Sequence, residues 1–149
     1  MTPDELTESM HTSIPILGHM QIRVLEVGPG HATVELPAAP NVNHFGAMYA
    51  GSLYTAAEVL GGAIPQASFD LTGEFAGYVP LLKSSEIRYF KPATGRVRAR
   101  ARLADDELER VGREAMEKGK ADFVLEAEIV DDEDNVLATS RGVYQLRRL

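Results

Sequence analysis

Glu58 is the residue whose type and position point most directly to chemistry. It is the only formally charged residue between Glu35 and Asp70, although 25% of the chain is charged. Its neighbours in the sequence are mostly apolar, and removing a carboxylate from water costs free energy. We therefore expect Glu58 to be paired, protonated, directed at a cavity, or placed at an interface.

Small residues surround Glu58 on one face of a predicted helix. Residues three or four positions apart lie on the same face of a helix. The face that carries Glu58 also contains Ala50, Gly51, Tyr54, Gly61 and Gly62. Small side chains allow a close approach, either by a ligand or by a second subunit. A structural alternative stays open, in which Glu58 forms an ion pair with an arginine of the sheet or of a second protomer.

Other residue types offer little catalytic chemistry. His11, His19 and His31 lack the spacing of metal ligands, and the sequence contains no HExxH motif. Ser52 and Ser68 lack the G-x-S-x-G setting of a serine hydrolase nucleophile. The sequence therefore predicts neither a metal centre nor a catalytic serine.

The composition limits the classes of partner. The 149 residues carry a net charge of -7 and no cysteine, which argues against nucleic acid as a general partner and against disulfides or thiolate metal sites. The N-terminal segment has no targeting signature, and no stretch is apolar enough for a membrane span. We expect one cytoplasmic domain that does not bind membranes.

The hydrophobic periodicity predicts an α+β fold in which an antiparallel sheet packs on one central helix. A terminal helix is expected at Pro3–Ser13, with Thr2 as its N-cap. The central helix is expected at about residues 48–64, closed by two glycines and Pro65. A charged helix is expected at Asp105–Lys118. The predicted strands are Met20–Val24, His31–Leu36, Tyr78–Phe90, Arg96–Leu103, Phe123–Val130 and Val136–Leu146.

The segment from Asn43 to Glu58, NHFGAMYAGSLYTAAE, resembles hotdog-fold thioesterases. It is similar to the pattern N-x-x-G-x-x-H-G-G followed by a helix carboxylate in the PaaI-like group, and more closely to the YiiD C-terminal type of thioesterase domain. The resemblance implies a single hotdog domain over residues 1–149, with an N-terminal helix or arm at 1–16 and a charged helical insertion at 105–118.

Carried across by position, the resemblance gives Glu58 the role of catalytic carboxylate. Asn43 would help to place the attacking water or the thioester. Ala50 stands at the first glycine of the pair, whose backbone N–H polarises the thioester carbonyl. The remaining matched positions would contact substrate: His44, Gly46, Tyr49, Gly51 and Tyr54.

Two departures from the pattern keep other functions open. Tyr49 replaces the usual histidine, and Gly62 offers no hydroxyl where some members carry serine or threonine. The chain could be a thioesterase or a non-catalytic module that binds an acyl ligand or dimerises. A dehydratase or hydratase is disfavoured, because no histidine follows His44.

The resemblance also implies the partners. The substrate would be a thioester of coenzyme A or of an acyl carrier, with no cofactor beyond the coenzyme A of the substrate itself. The site would lie between two protomers, in a homodimer or a dimer of dimers.

A basic run could bind the phosphates of coenzyme A. Between positions 83 and 102 one acid, Glu86, stands against seven cations: Lys83, Arg88, Lys91, Arg96, Arg98, Arg100 and Arg102. The favoured alternative is a solvated sheet face that pairs with the acidic insertion, because local charge alone is weak evidence for a ligand.

Overall fold

A six-stranded antiparallel sheet wraps around the central helical segment in a computed structural model that describes residues 1–149. The spatial order of the strands is β1-β2-β4-β5-β6-β3. Their bounds are β1 Arg23–Gly28, β2 His31–Leu36, β3 Tyr78–Tyr89, β4 Val97–Arg102, β5 Lys120–Val130 and β6 Val136–Arg148. This architecture confirms the predicted α+β fold with a sheet around a central helix.

The central helix consists of two segments, α3 (Ala50–Glu58) and α4 (Leu60–Ser68); two short helices precede them, α1 (Pro3–Ser13) and α2 (Pro15–His19). Val59 separates α3 from α4 while keeping right-handed helical dihedral angles. The predicted stop at Pro65 is wrong, since α4 continues through it to Ser68. Pro65 is buried and its carbonyl accepts from the Phe69 N–H at 2.9 Å, so packing outweighs the backbone hydrogen bond that a proline cannot donate.

The apolar side of α3 and α4 forms the centre of the core. Its buried residues include Leu53, Ala56, Leu60 and Ile64, which recur at helical spacing. On β4, Val97 and Ala99 are buried while the intervening arginines face outward, as the alternation of the sequence predicts.

The first strand starts later than the periodicity predicts. Met20 and Gln21 close α2, and Gln21 adopts a positive φ of 58°, so the extended backbone begins only at Arg23. The register of β1 and β2 then shifts between Val24 and Glu26, which is the signature of a β-bulge.

A charged helix, α5 (Asp105–Lys118), packs on β5 and β6 with the bounds that its pattern predicts. It buries Val111 and Ala115 and ends at Gly119, which has a φ of 78°. The predicted cap of α1 is also confirmed, since Thr2 and Glu5 form a reciprocal capping box.

Strand β3 lies at one edge of the sheet and pairs only with β6. Several large apolar side chains on or beside it are partly exposed, namely Leu81, Leu82, Tyr89 and Phe90. A long edge with exposed apolar side chains can pair with another strand. None of the helices is both long and apolar enough to cross a bilayer.

Candidate active site

Glu58 is the last residue of α3 and its carboxylate has no partner in the chain. The side chain is half-buried, and it takes part in none of the ion pairs of the molecule. Burial raises the pKa of Glu58 above its ordinary value, and no hydrogen bond or cation opposes that effect. The interpretation in which Glu58 pairs with an arginine of its own sheet is therefore wrong.

Tyrosines, rather than cations, surround Glu58. Tyr144 of β6 donates its hydroxyl to the Glu58 carbonyl at 3.0 Å. Tyr54 lies one helical turn before Glu58 and makes no hydrogen bond to it. Burial is the main cause that raises the pKa of Tyr144, and the charges of Glu58 and Tyr54 add to it. The carboxylate thus sits in a weakly polar setting.

The backbone N–H groups of Ala50 and Gly51 open α3 without acceptors inside the helix. The N–H groups of Ser52 and Leu53 donate to the Tyr49 carbonyl, and no side chain caps this helix end. Two N–H groups at a helix N-terminus favour a developing negative charge. This end of α3 can therefore polarise a carbonyl oxygen.

Two tyrosines border this helix end. Tyr89 of β3 donates its hydroxyl to the Ala50 carbonyl at 2.8 Å, which ties the edge strand to the start of α3. The ring of Tyr49 lies against Gly51, where an added Cβ would come within 2.5 Å of its Cε2. Tyr49 is itself exposed, so the residue at the histidine position forms part of the accessible surface.

Asn43 organises the loop before α3. Its Oδ1 accepts from the Phe45 N–H at 3.0 Å and from the Ala47 N–H at 3.1 Å, which leaves Nδ2 as a free donor. His44 is exposed and its ring meets that of Phe45 edge-on at 5.0 Å. Gly46 is exposed with a φ of 83°, a conformation that glycine adopts without strain.

The sequence does not indicate that Asn41 also holds this loop. Asn41 is 3% exposed and donates to the carbonyls of Met20 and Pro37, both at 2.9 Å. Its own carbonyl accepts from the Tyr49 N–H at 2.7 Å. It therefore fixes the approach to α3, although nothing in the local pattern distinguishes it from an ordinary loop residue.

The predicted catalytic groups do not all meet within one chain. Ala50 and Glu58 are eight residues apart in α3, and a rise of 1.5 Å per residue separates them by about 12 Å along the helix axis. A thioester carbonyl held at the Ala50 N–H is therefore out of reach of the Glu58 carboxylate in the same helix.

Acids of the sheet neutralise most of the basic run. Arg96 pairs with Asp132 and Glu35, Arg98 with Asp134, and Arg100 with Glu128. The solvated-face interpretation is right about pairing but wrong about the partner, because these acids lie on neighbouring strands and on the turn at 131–135 rather than on α5.

One concave surface of the molecule lies away from Glu58. An open groove of about 960 Å³ crosses the outer face of the sheet, and its lining is mostly polar and charged. An acyl chain needs an apolar lining, so this groove does not suit it. No three His, Asp or Glu side chains come close enough together to hold a metal ion.

A family model described as "Putative thioesterase (yiiD_Cterm)" matches residues 3–148. The chain belongs to this family. The match covers the loop, the central helix and the charged insertion alike, so it confirms the resemblance over nearly the whole sequence.

Solved structures agree with the family assignment. A Pseudomonas aeruginosa protein of unknown function, called a "Probable Thioesterase", shares 37% identity over 98% of this chain and 96% of its own, with a TM-score of 0.85. A Shewanella oneidensis protein called a "putative thioesterase" shares 27% identity over 97% and 96%, with a TM-score of 0.82. A Chlorobaculum tepidum protein of unknown function, 24% identical over 99% and 98%, shows the same fold with a TM-score of 0.86. No curated protein matches the chain.

Proposed function

We propose that the chain hydrolyses acyl thioesters of coenzyme A or of an acyl carrier, with Glu58 as its general base or nucleophile. The observation that carries the proposal is the half-buried Glu58 carboxylate, which has no ion pair or hydrogen-bond partner. An unpaired carboxylate on a core helix costs stability. Burial raises its pKa, which makes the ionised carboxylate a stronger base than an ordinary glutamate.

The N-terminus of α3 supplies the oxyanion site. The Ala50 N–H, with Gly51 beside it, donates to the thioester oxygen as negative charge develops there. Asn43 keeps its Nδ2 free while its Oδ1 holds the loop, so it can donate to the thioester or to the attacking water. His44, Gly46, Tyr49 and Tyr54 border the space through which the substrate enters.

Two routes satisfy the chemistry. As a base, Glu58 takes a proton from water, and the hydroxide adds to the carbonyl carbon. The tetrahedral intermediate then expels the thiolate, which takes the proton from Glu58. As a nucleophile, Glu58 attacks the carbonyl carbon, expels the thiolate and forms a mixed anhydride. Water then opens the anhydride to the carboxylic acid and a protonated Glu58, which gives its proton to the thiolate. Both routes release a carboxylic acid and a free thiol.

A homodimer completes the site. Strand β3 leaves one edge of the sheet unpaired, with partly exposed Leu81 and Leu82 along it. Antiparallel pairing of two β3 edges about a two-fold axis also makes the two central helices antiparallel. The Ala50 end of one helix then moves towards Glu58 of the partner, which removes the separation of about 12 Å within one helix.

One observation favours a second candidate, a module that binds an acyl ligand without turnover. Tyr49 stands at the histidine position and its ring lies against Gly51, where it narrows the approach to the second N–H donor. In that case the protein would bind acyl thioesters and release no thiol.

A thiol-release assay on short, medium, long and aryl acyl-CoAs tests the proposal. Glu58→Gln keeps the size of the side chain and removes its basicity, so we expect turnover to fall about 1,000-fold. Glu117→Gln is the matched control, since Glu117 is exposed on α5 and unpaired. Equal turnover in the wild type and Glu58→Gln would refute the catalytic role; binding without turnover in the wild type would support the module.

A further inference from the structure

A hydrogen bond links the Tyr144 side chain to the backbone of Glu58. The two residues are 86 positions apart in the chain, yet the Tyr144 hydroxyl donates to the Glu58 carbonyl at 3.0 Å. The side chain of Tyr144 is almost fully withdrawn from solvent, and the residue is 4% exposed. A buried hydroxyl that donates to a backbone carbonyl fixes the position of both groups.

The ring of Tyr144 is held on three sides. It stacks on Phe123 with an interplanar angle of 15° and a centroid distance of 5.5 Å. Its other contacts are with Gly61 and Gly142, where an added Cβ would overlap the ring. Two glycines therefore make the space that this tyrosine fills, and the ring has little freedom to move.

The hydroxyl reaches the helix at the point where the helix is interrupted. Val59 separates α3 from α4, and its carbonyl accepts from both the Gly62 N–H and the Ala63 N–H at 3.0 Å. The bond from Gly62 spans three residues, as in a tightened turn, while the bond from Ala63 keeps the four-residue spacing of an α-helix. At this interruption the Tyr144 hydroxyl supplies the Glu58 carbonyl with a donor from another element and fixes its position.

We propose that Tyr144 is a positioning residue that fixes the turn at Glu58 and thereby aims the unpaired carboxylate at the substrate. The inference rests on the proposed thioester hydrolysis. Tyr144 need not touch the substrate, because its hydroxyl is already committed to the Glu58 carbonyl.

The structure supplies a matched control for the loss of this hydroxyl. Tyr78 is 6% exposed and donates to the Ala115 carbonyl of α5 at 2.9 Å. Tyr78→Phe and Tyr144→Phe therefore remove the same kind of buried hydrogen bond, and both keep the ring. We expect each to lower the melting temperature by several degrees.

The kinetics separate the two variants. Tyr144→Phe is expected to lower kcat by about 10-fold to 100-fold, because a small misplacement of a catalytic group is costly, while KM changes by less than about twofold. Tyr78→Phe is expected to keep the wild-type kcat. Wild-type kcat in Tyr144→Phe, or an equal loss in both variants, would overturn the inference.

A titration of Glu58 by carboxyl NMR separates this inference from the proposed function. We expect the pKa of Glu58 in Tyr144→Phe to fall towards the ordinary glutamate value as the turn relaxes towards water, and to be unchanged in Tyr78→Phe. If the wild type released no thiol from any substrate, the proposed function would fail. An unchanged pKa in Tyr144→Phe would then also refute the positioning role.

Discussion

Helix α5 and the central helix differ in how well their polar groups are satisfied. On α5, Arg110 bonds to Glu107 and to Glu114, both at 2.8 Å, and also to the Asp122 carbonyl. On the central helix, Glu58 has no such partner. Arg110 on the α5 flank is satisfied within one chain, whereas Glu58, on the flank formed by the central helix and β3, has no partner in the chain. This difference supports the proposal that the substrate and a second copy of the chain bind on the flank formed by the central helix and β3.

Blocking the edge of β3 is expected to have a large effect on both assembly and turnover. Leu81→Lys places a charge on an edge strand, a substitution that discourages edge pairing. We expect a monomer by light scattering and a loss of turnover of about 100-fold or more, because the site would lack its second helix. Val124→Lys is the control, since Val124 has a similar exposure (38% against 40%) on a central strand. A fully active Leu81→Lys monomer would contradict the shared site.

Mixing two inactive variants tests the shared site in another way. In a heterodimer of Asn43→Ala and Glu58→Gln, one of the two shared sites keeps both groups intact. We expect mixed dimers to recover up to half of the wild-type turnover per dimer, measured by thiol release after the subunits are exchanged. Sites contained within single chains would give no recovery.

A smaller effect is expected on stability. Burial raises the pKa of Glu58 in the folded protein, so the folded state holds the proton more tightly than the unfolded chain. Stability therefore falls as the pH rises from the unfolded value, about 4.3, through the raised value. Glu58→Gln is expected to melt at a higher temperature than the wild type at pH 7.5, with the difference shrinking towards pH 4. A difference independent of pH would argue against the raised pKa.

The smallest effect is expected on the satisfied flank. Arg110→Ala removes the bonds to Glu107 and Glu114 and is expected to lower the free energy of unfolding by about 1–2 kcal/mol, measured by urea denaturation, without changing kcat. Arg113→Ala is the control, because Arg113 is exposed and forms no ion pair. A large loss of kcat in Arg110→Ala would break the contrast between the two flanks.

The sequence predicts those features that depend on local pattern. The isolation of Glu58 among uncharged residues singles out the carboxylate that has no partner in the structure. The strict alternation of β4 predicts that its arginines face outward. The bounds of α5 follow from its amphipathic spacing and from Gly119. Each of these signals lies within a few residues of the feature that it predicts.

Features that depend on residues far apart in the chain cannot be predicted from local sequence patterns. Tyr144 contacts Glu58 across 86 positions, and no local pattern distinguishes it from other strand tyrosines. Pro65 predicts the end of a helix, but its burial in the core allows α4 to continue through it. The division of the central helix at Val59 likewise has no local signal, since it depends on what packs around the turn.

The pH dependence of kcat/KM for the wild type and Glu58→Gln tests the central claim most directly. For the wild type, kcat/KM should rise with pH through an apparent pKa above that of an ordinary glutamate, because the ionised Glu58 is the active form. Glu58→Gln should lose that rise and lie about 1,000-fold lower. The same pH profile in both proteins would contradict the account.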